Sequence, residues 1–160
     1  MKVKDVMTPS PLTVPADATV SETAAILRKN RIGGLPVMDG DTIVGIVTET
    51  DILSLLDTGE ISDDLWLPSP LEIVEVPIRE FINWEKTKAA LADIGTSPIT
   101  TVMSDNVISI DEEADIEEAA AIMLREGIAR LPVLKRGRLV GIVTRLDIVR
   151  GVGSRFESSA

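Results

Sequence analysis

At 160 residues, with 44% hydrophobic but only 2% aromatic side chains, the chain suits one domain or two small units with an aliphatic interior. Cys, His and Tyr are absent, which excludes disulfides, Cys/His zinc sites and the commonest general base, and weakens any case for catalysis. A formal net charge of −10 opposes duplex nucleic acid, and no apolar run of about 18 residues offers a membrane span.

Lys4-Asp5-Val6-Met7 reads as a helical turn before Pro9, and Leu12-Thr13-Val14 as an extended lead-in. The opening "MKVKDVMTPS" has no apolar stretch of a secretion signal, so a cytoplasmic protein is expected. Thr19 can cap a helix, with Glu22 three residues later completing a capping box. Val20, Ala24 and Leu27 then share a face up to a stop near Asn30. Leu35-Pro36-Val37-Met38 is a β-type run, Asp39-Gly40-Asp41 a turn, and residues 43–48 a second strand rich in β-branched side chains. Residues 51–56 read as another helix.

A linker follows over residues 57–97. It holds an acidic loop, a proline-interrupted extended stretch and an amphipathic helix whose Phe81, Trp84, Leu91 and Ile94 share a face, with Gly95 near its end. That face either packs on the rest of the chain or forms a partner surface. Next come a lead-in, Ile108-Ser109-Ile110, and a helix capped by Asp115 with Glu118 three residues on and Ile116, Ala120 and Met123 as its stripe. Residues 154–160 read as a flexible tail.

The second half repeats the first. At an offset of 96, 18 of the 48 positions over residues 6–53 are identical, and Val44-Gly45-Ile46-Val47-Thr48 falls unchanged on Val140-Gly141-Ile142-Val143-Thr144. Two units, residues 1–56 and 98–153, are each small for independent stability. Packed about a pseudo-two-fold axis they would share a core and frame two related clefts.

Each copy of the phrase continues to an Asp three residues after the Thr: Thr48 to Asp51 and Thr144 to Asp147. One reading is a capping box for the next helix. The other is a ligand corner, where helix amides favour phosphate and the carboxylate accepts from ribose hydroxyls. The acidic run over residues 111–118 lacks the turn glycine of a calcium loop and reads as a helix start, and Met7 and Met103 read as core fillers. No metal site is expected.

The Val-Met-Thr/Ser lead-in, the Leu-Pro-Val strand and the Gly-Ile-Val-Thr-x-x-Asp phrase recur in order in both halves. Together they resemble the cystathionine β-synthase (CBS) domain, and the pair resembles a Bateman module. The resemblance covers roughly the first 55 and last 60 residues and leaves the linker outside.

It implies an α/β (α+β) fold of two β-α-β-β-α repeats joined by an extended and helical linker. It also implies a non-catalytic regulatory module with no required cofactor, a homodimer that signals to a partner protein, and an adenosine ligand such as AMP, ADP, ATP or S-adenosylmethionine. Carried residue by residue, it places Thr48, Asp51, Thr144 and Asp147 at ribose and phosphate. Thr13, Val14, Ile32, Gly33, Leu35 and Pro36 would line one cleft wall, with Ser109, Ile110, Ile128, Ala129, Leu131 and Pro132 as their counterparts. Arg130 and Arg145 would meet phosphate; Gly34 and Glu49 stand at the matching positions of the first copy, so a polyphosphate should prefer the Arg-bearing cleft. The alternative is a ligand-free interaction module that uses the aromatic linker.

Overall fold

In both halves a helix forms where side-chain periodicity and chain-stopping residues agree. The computed structural model describes residues 1–55 and 92–157. Most of the expected linker, including its acidic loop, Trp66, Phe81, Trp84 and Leu91, lies outside the described residues.

The elements run α1 (Val3–Val6), β1 (Thr8–Pro9), β2 (Val14–Pro15), α2 (Val20–Asn30), β3 (Gly34–Asp39), β4 (Thr42–Thr48) and α3 (Glu49–Ser54), then a 3-10 turn (Ile99–Thr101). They continue with β5 (Ile110–Asp111), α4 (Ile116–Glu126), β6 (Arg130–Lys135), β7 (Arg138–Thr144) and α5 (Arg145–Glu157). The two copies alternate burial identically in their last strand, β4 and β7, as the repeated sequence requires. The mixed α+β fold expected from the sequence is the one observed.

Thr19 caps α2 as predicted: its side chain accepts from the Glu22 amide, and the Glu22 carboxylate accepts from the Thr19 amide. Asp115 does not repeat this. It stands at the N-cap of α4 without a side-chain cap bond, and its carboxylate pairs with Lys2 at 3.0 Å. A nearby ammonium has taken the carboxylate that the helix amides would otherwise hold. Thr23 and Ala119, wholly buried, belong to the inner faces of α2 and α4 beside the predicted stripes. Thr23 satisfies its hydroxyl by donating to the Thr19 carbonyl, so a polar residue fits that face. The last helix runs through Glu157 into the stretch read as a tail.

The described residues form two compact units whose boundaries cut across the repeats. One comprises those of Met1–Pro15, Leu35–Ile46 and Asp105–Ala160. Its four-stranded sheet has the order β1-β7-β6-β5, with β6 and β7 antiparallel and β5 parallel to β6. The β6–β7 turn places Arg136 and Gly137 at φ of 50° and 78°, the double left-handed conformation of a two-residue hairpin.

The N-terminus completes this sheet. β1 lies antiparallel on β7, with Thr8 opposite Ile142 and Pro9 opposite Gly141. The Val3 and Lys4 amides donate to the carbonyls of Ala114 and Glu112. Val3, 0% exposed, packs in a cluster with Ile110, Ala119, Met123, Leu131, Val133, Val143 and Ile148. Every one of those partners comes from the second repeat. Lys4 also bonds Glu113, and that bond holds the Lys4 ammonium pKa above its usual 10.5.

The other unit comprises the described residues of Ala16–Gly34 and Val47–Ser104. Here the relation is reciprocal. The Ile99 amide donates to the Ala18 carbonyl at 2.8 Å, the Val20 amide donates to the Ser97 carbonyl at 2.9 Å, and Ile99 is fully buried. The lead-in of the second repeat is thus built onto the helix of the first. A second, three-stranded sheet of order β2-β3-β4, with β2 parallel to β3 through Val14 opposite Val37, belongs in the main to the first-described unit.

Candidate functional site

A strand that runs straight into a helix leaves free amides at the junction, and both copies of the repeated phrase build such a junction. Thr48 is extended, with φ −125° and ψ 166°, and its hydroxyl oxygen accepts from the Asp51 amide at 3.3 Å. Asp51 Oδ2 accepts from the Thr48 amide at 2.8 Å and from the Thr48 hydroxyl at 3.0 Å. In the second copy Asp147 Oδ2 accepts from the Thr144 amide and hydroxyl, both at 2.8 Å, and the Asp147 amide donates to Thr144 Oγ1 at 3.3 Å.

The capping reading is therefore correct in both copies. It does not use the whole carboxylate. All three side-chain bonds of each box involve Thr Oγ1 and Asp Oδ2. Both Asp residues are half-buried, and Oδ1 of each has no protein partner among the described residues.

The predicted wall residues separate into two groups. Ile32, Gly33, Ile128 and Ala129 are half-buried or exposed, and they are tied to the junctions. The Glu49 amide donates to the Gly33 carbonyl, and the Arg145 amide to the Ala129 carbonyl, both at 3.0 Å. Leu35, Pro36, Leu131 and Pro132 are instead buried side chains of β3 and β6. Val14 and Ile110 are also core, on the edge strands β2 and β5, with Thr13 exposed and Ser109 half-buried just before them. From the buried six, only backbone groups are positioned to meet a ligand.

Arg130 and Arg145 do come together. Arg130 is the strand partner of Thr144, and Arg145 follows Thr144 directly. Arg145 Nε donates to the Ile128 carbonyl at 3.1 Å, which orients its guanidinium along this corner. The first copy has Gly34 and Glu49 there. Its junction carries two carboxylates and no cation at these positions, whereas the second carries two guanidiniums and one carboxylate.

A cavity of about 500 Å³ opens elsewhere, between α2 and α3, lined by Leu27, Arg28, Arg31, Glu49 and Ile52 among others. None of the sequence motifs singles out Arg28 or Arg31. The available signal was the mismatch between copies: Leu124, Gly127 and Arg145 stand where the first has Arg28, Arg31 and Glu49. Among the described residues no cluster of His, Cys, Asp and Glu is arranged to hold a metal ion. No helix of the described residues is long and apolar enough to cross a membrane.

Residues 3–58 and 99–154 both match the CBS domain family model. The uncharacterized protein MJ1426 of Methanocaldococcus jannaschii is 34% identical over 154 residues, which cover 95% of this chain and 91% of that protein. Among solved structures, CBSX2 in complex with AMP is similar with a TM-score of 0.68 and 25% identity, over 96% of this chain and 97% of that one. The CBS domain pair of protein MJ0100, in complex with 5′-methylthioadenosine and S-adenosyl-L-methionine, is similar with a TM-score of 0.66 and 27% identity, over 97% and 98%.

Proposed function

The chain belongs to the CBS-domain family, and from that premise we propose that it is a regulatory module that binds an adenosine-containing ligand at its Thr-x-x-Asp junctions and passes the bound state to a partner protein. It carries out no reaction of its own. One observation carries this reading: in both copies Asp Oδ2 holds the cap while Oδ1 has no protein partner among the described residues. A carboxylate placed this way can accept from ribose hydroxyls without unwinding the helix it caps. The similar chains bound to AMP and to S-adenosylmethionine support the ligand class.

The corners differ in the anions they tolerate. Arg130 and Arg145 suit a di- or triphosphate at the second. Glu49 beside Asp51 opposes one at the first and suits AMP at most, or an uncharged or cationic adenosine derivative.

The test is a melting series with AMP, ADP, ATP and S-adenosylmethionine on the wild type, Asp51→Ala and Asp147→Ala. Ligand at 100-fold over Kd stabilises by about 2.7 kcal/mol. In a chain of this size that raises the melting temperature by roughly 5–10 °C. Either substitution also removes a cap bond worth about 1 kcal/mol. The relevant reading is thus the ligand-induced shift within each variant, not the melting temperature of the free variant. The absence of a shift with all four compounds in the wild type would refute the proposal.

A homodimer has its own observation in favour. Leu124 on α4 is 79% exposed, and Leu146 and Val149, three residues apart on α5, are 54% and 65% exposed. This apolar face, exposed among the described residues, suits a second copy. Leu124→Glu with Val149→Glu should shift the sedimenting mass to that of a single chain, and an unchanged mass argues against this face.

A further inference from the structure

The cavity between α2 and α3 lies wholly within one unit and borders the Thr48–Asp51 junction: Thr48 and Asp51 do not line it, but Glu49 and Ile32 belong to both. Glu49, Ile52 and Leu53 stand at i, i+3 and i+4 on α3 and so share the face that lines it. Asp51, two residues from Glu49, points around the helix from that face.

The cavity has two chemical characters. Its floor is apolar: Leu27 is buried, and Ala24, Ile32 and Ile52 are half-buried. Its rim carries Arg28 and Arg31 from the end of α2 and Glu49 from the start of α3. Ion pairs between described residues join Lys2 to Asp115, Lys4 to Glu113, Arg125 to Glu126 and Lys135 to Glu112. None involves Arg28, Arg31 or Glu49. Opposite charges that line one cavity without meeting leave room for a molecule carrying both.

Arg31 strengthens the case. It occupies the left-handed C-cap of α2 at φ 53°, a conformation that disfavours a side chain. The second repeat fills the same position with Gly127 at φ 66°. Cations in the last turn of a helix complement its dipole, which accounts for Arg28 and for Lys29 outside the cavity. The dipole does not account for an arginine at a position where glycine is the less strained choice.

We propose that this cavity binds a free amino acid with an aliphatic side chain. The α-carboxylate would sit between the guanidiniums of Arg28 and Arg31, the α-ammonium at the Glu49 carboxylate, and the side chain on Leu27 and Ile52. Both charged groups of the ligand are then answered, and its apolar part leaves water. The second repeat, with Leu124, Gly127 and Arg145 in place of the three charged residues, lacks this arrangement.

Isothermal titration of the whole chain with L-leucine, L-isoleucine and L-valine tests the proposal. Saturable binding is expected. 4-Methylpentanoate, which lacks the ammonium, and isoamylamine, which lacks the carboxylate, should each bind about tenfold or more weakly. Arg31→Gly restores the residue of the copy and keeps the fold, so its loss of leucine binding by about tenfold or more reports the site itself. Glu49→Gln should do the same. No saturable binding of any of the three amino acids at millimolar concentration overturns the proposal, as does binding undiminished in both variants.

Discussion

Truncating Val3 to Ala alters one residue of the first repeat, yet the damage should appear in the second. Val3 is fully buried, and all seven of its fully packed cluster partners lie between Ile110 and Ile148. Removing two buried methyl groups and leaving a partial void costs about 2 kcal/mol. In native-state hydrogen exchange that is roughly a thirtyfold acceleration for amides that open with the affected unit. The amides expected to speed up belong to α4, β6 and β7. Those of α2, in the other unit, should change far less. Ile99→Ala is the mirror experiment: Ile99 is 0% exposed and bonded to Ala18, so truncation, at about 3 kcal/mol, should release α2 first. If Val3→Ala instead released α2 before α4 and β7, the exchanged docking of the two lead-ins would be wrong.

Three further outcomes follow from the same geometry. A Cβ on Gly141 would meet Met7 Sδ and, at 3.1 Å, the Thr8 carbonyl oxygen, so Gly141→Ala should lower stability by about 1–3 kcal/mol in a denaturant titration. Adding Met7→Ala should recover only part of this, because Thr8 is fixed by its pairing with Ile142. Thr48→Val and Thr144→Val each remove a cap worth about 1 kcal/mol and should lower the melting temperature by roughly 2–4 °C apiece. Glu49→Arg should raise the affinity for ATP relative to AMP and Arg145→Glu should lower it, with both effects shrinking as salt increases; equal ATP-to-AMP ratios in both variants would remove the charge argument.

The local structure was largely legible because local rules sufficed for it. Thr19 with Glu22, and Thr48 with Asp51, are spacing patterns whose bonds close within four residues, and they formed as read. Asp115 satisfied the same pattern and did not form it, because Lys2, distant in sequence, arrives beside it. The exchange of lead-ins was illegible for a related reason. Both copies present nearly the same strands, so hydrophobic pattern cannot tell whether Val3 packs with its own repeat or the other. The Thr-x-x-Asp junction was half legible: the motif located Thr and Asp, but only the three-dimensional structure shows that Oδ2 is used in the cap and Oδ1 is not. The cavity between α2 and α3 depends on the facing of two helices, which spacing alone does not fix.

The placement of Val3 also sets a timetable for synthesis. Its core partners extend to Ile148, so Val3, once synthesised, waits until the chain has been made through Ile148 before its core can close. At about 5–20 residues per second, that delay is on the order of ten seconds or more. Throughout it Met1, Val3, Val6 and Met7 remain uncovered on the nascent chain, open to chaperones and to proteases. A chain stalled before β7 would leave Val3 and β1 without their partners, a ready mark by which an incomplete product could be told from a finished one.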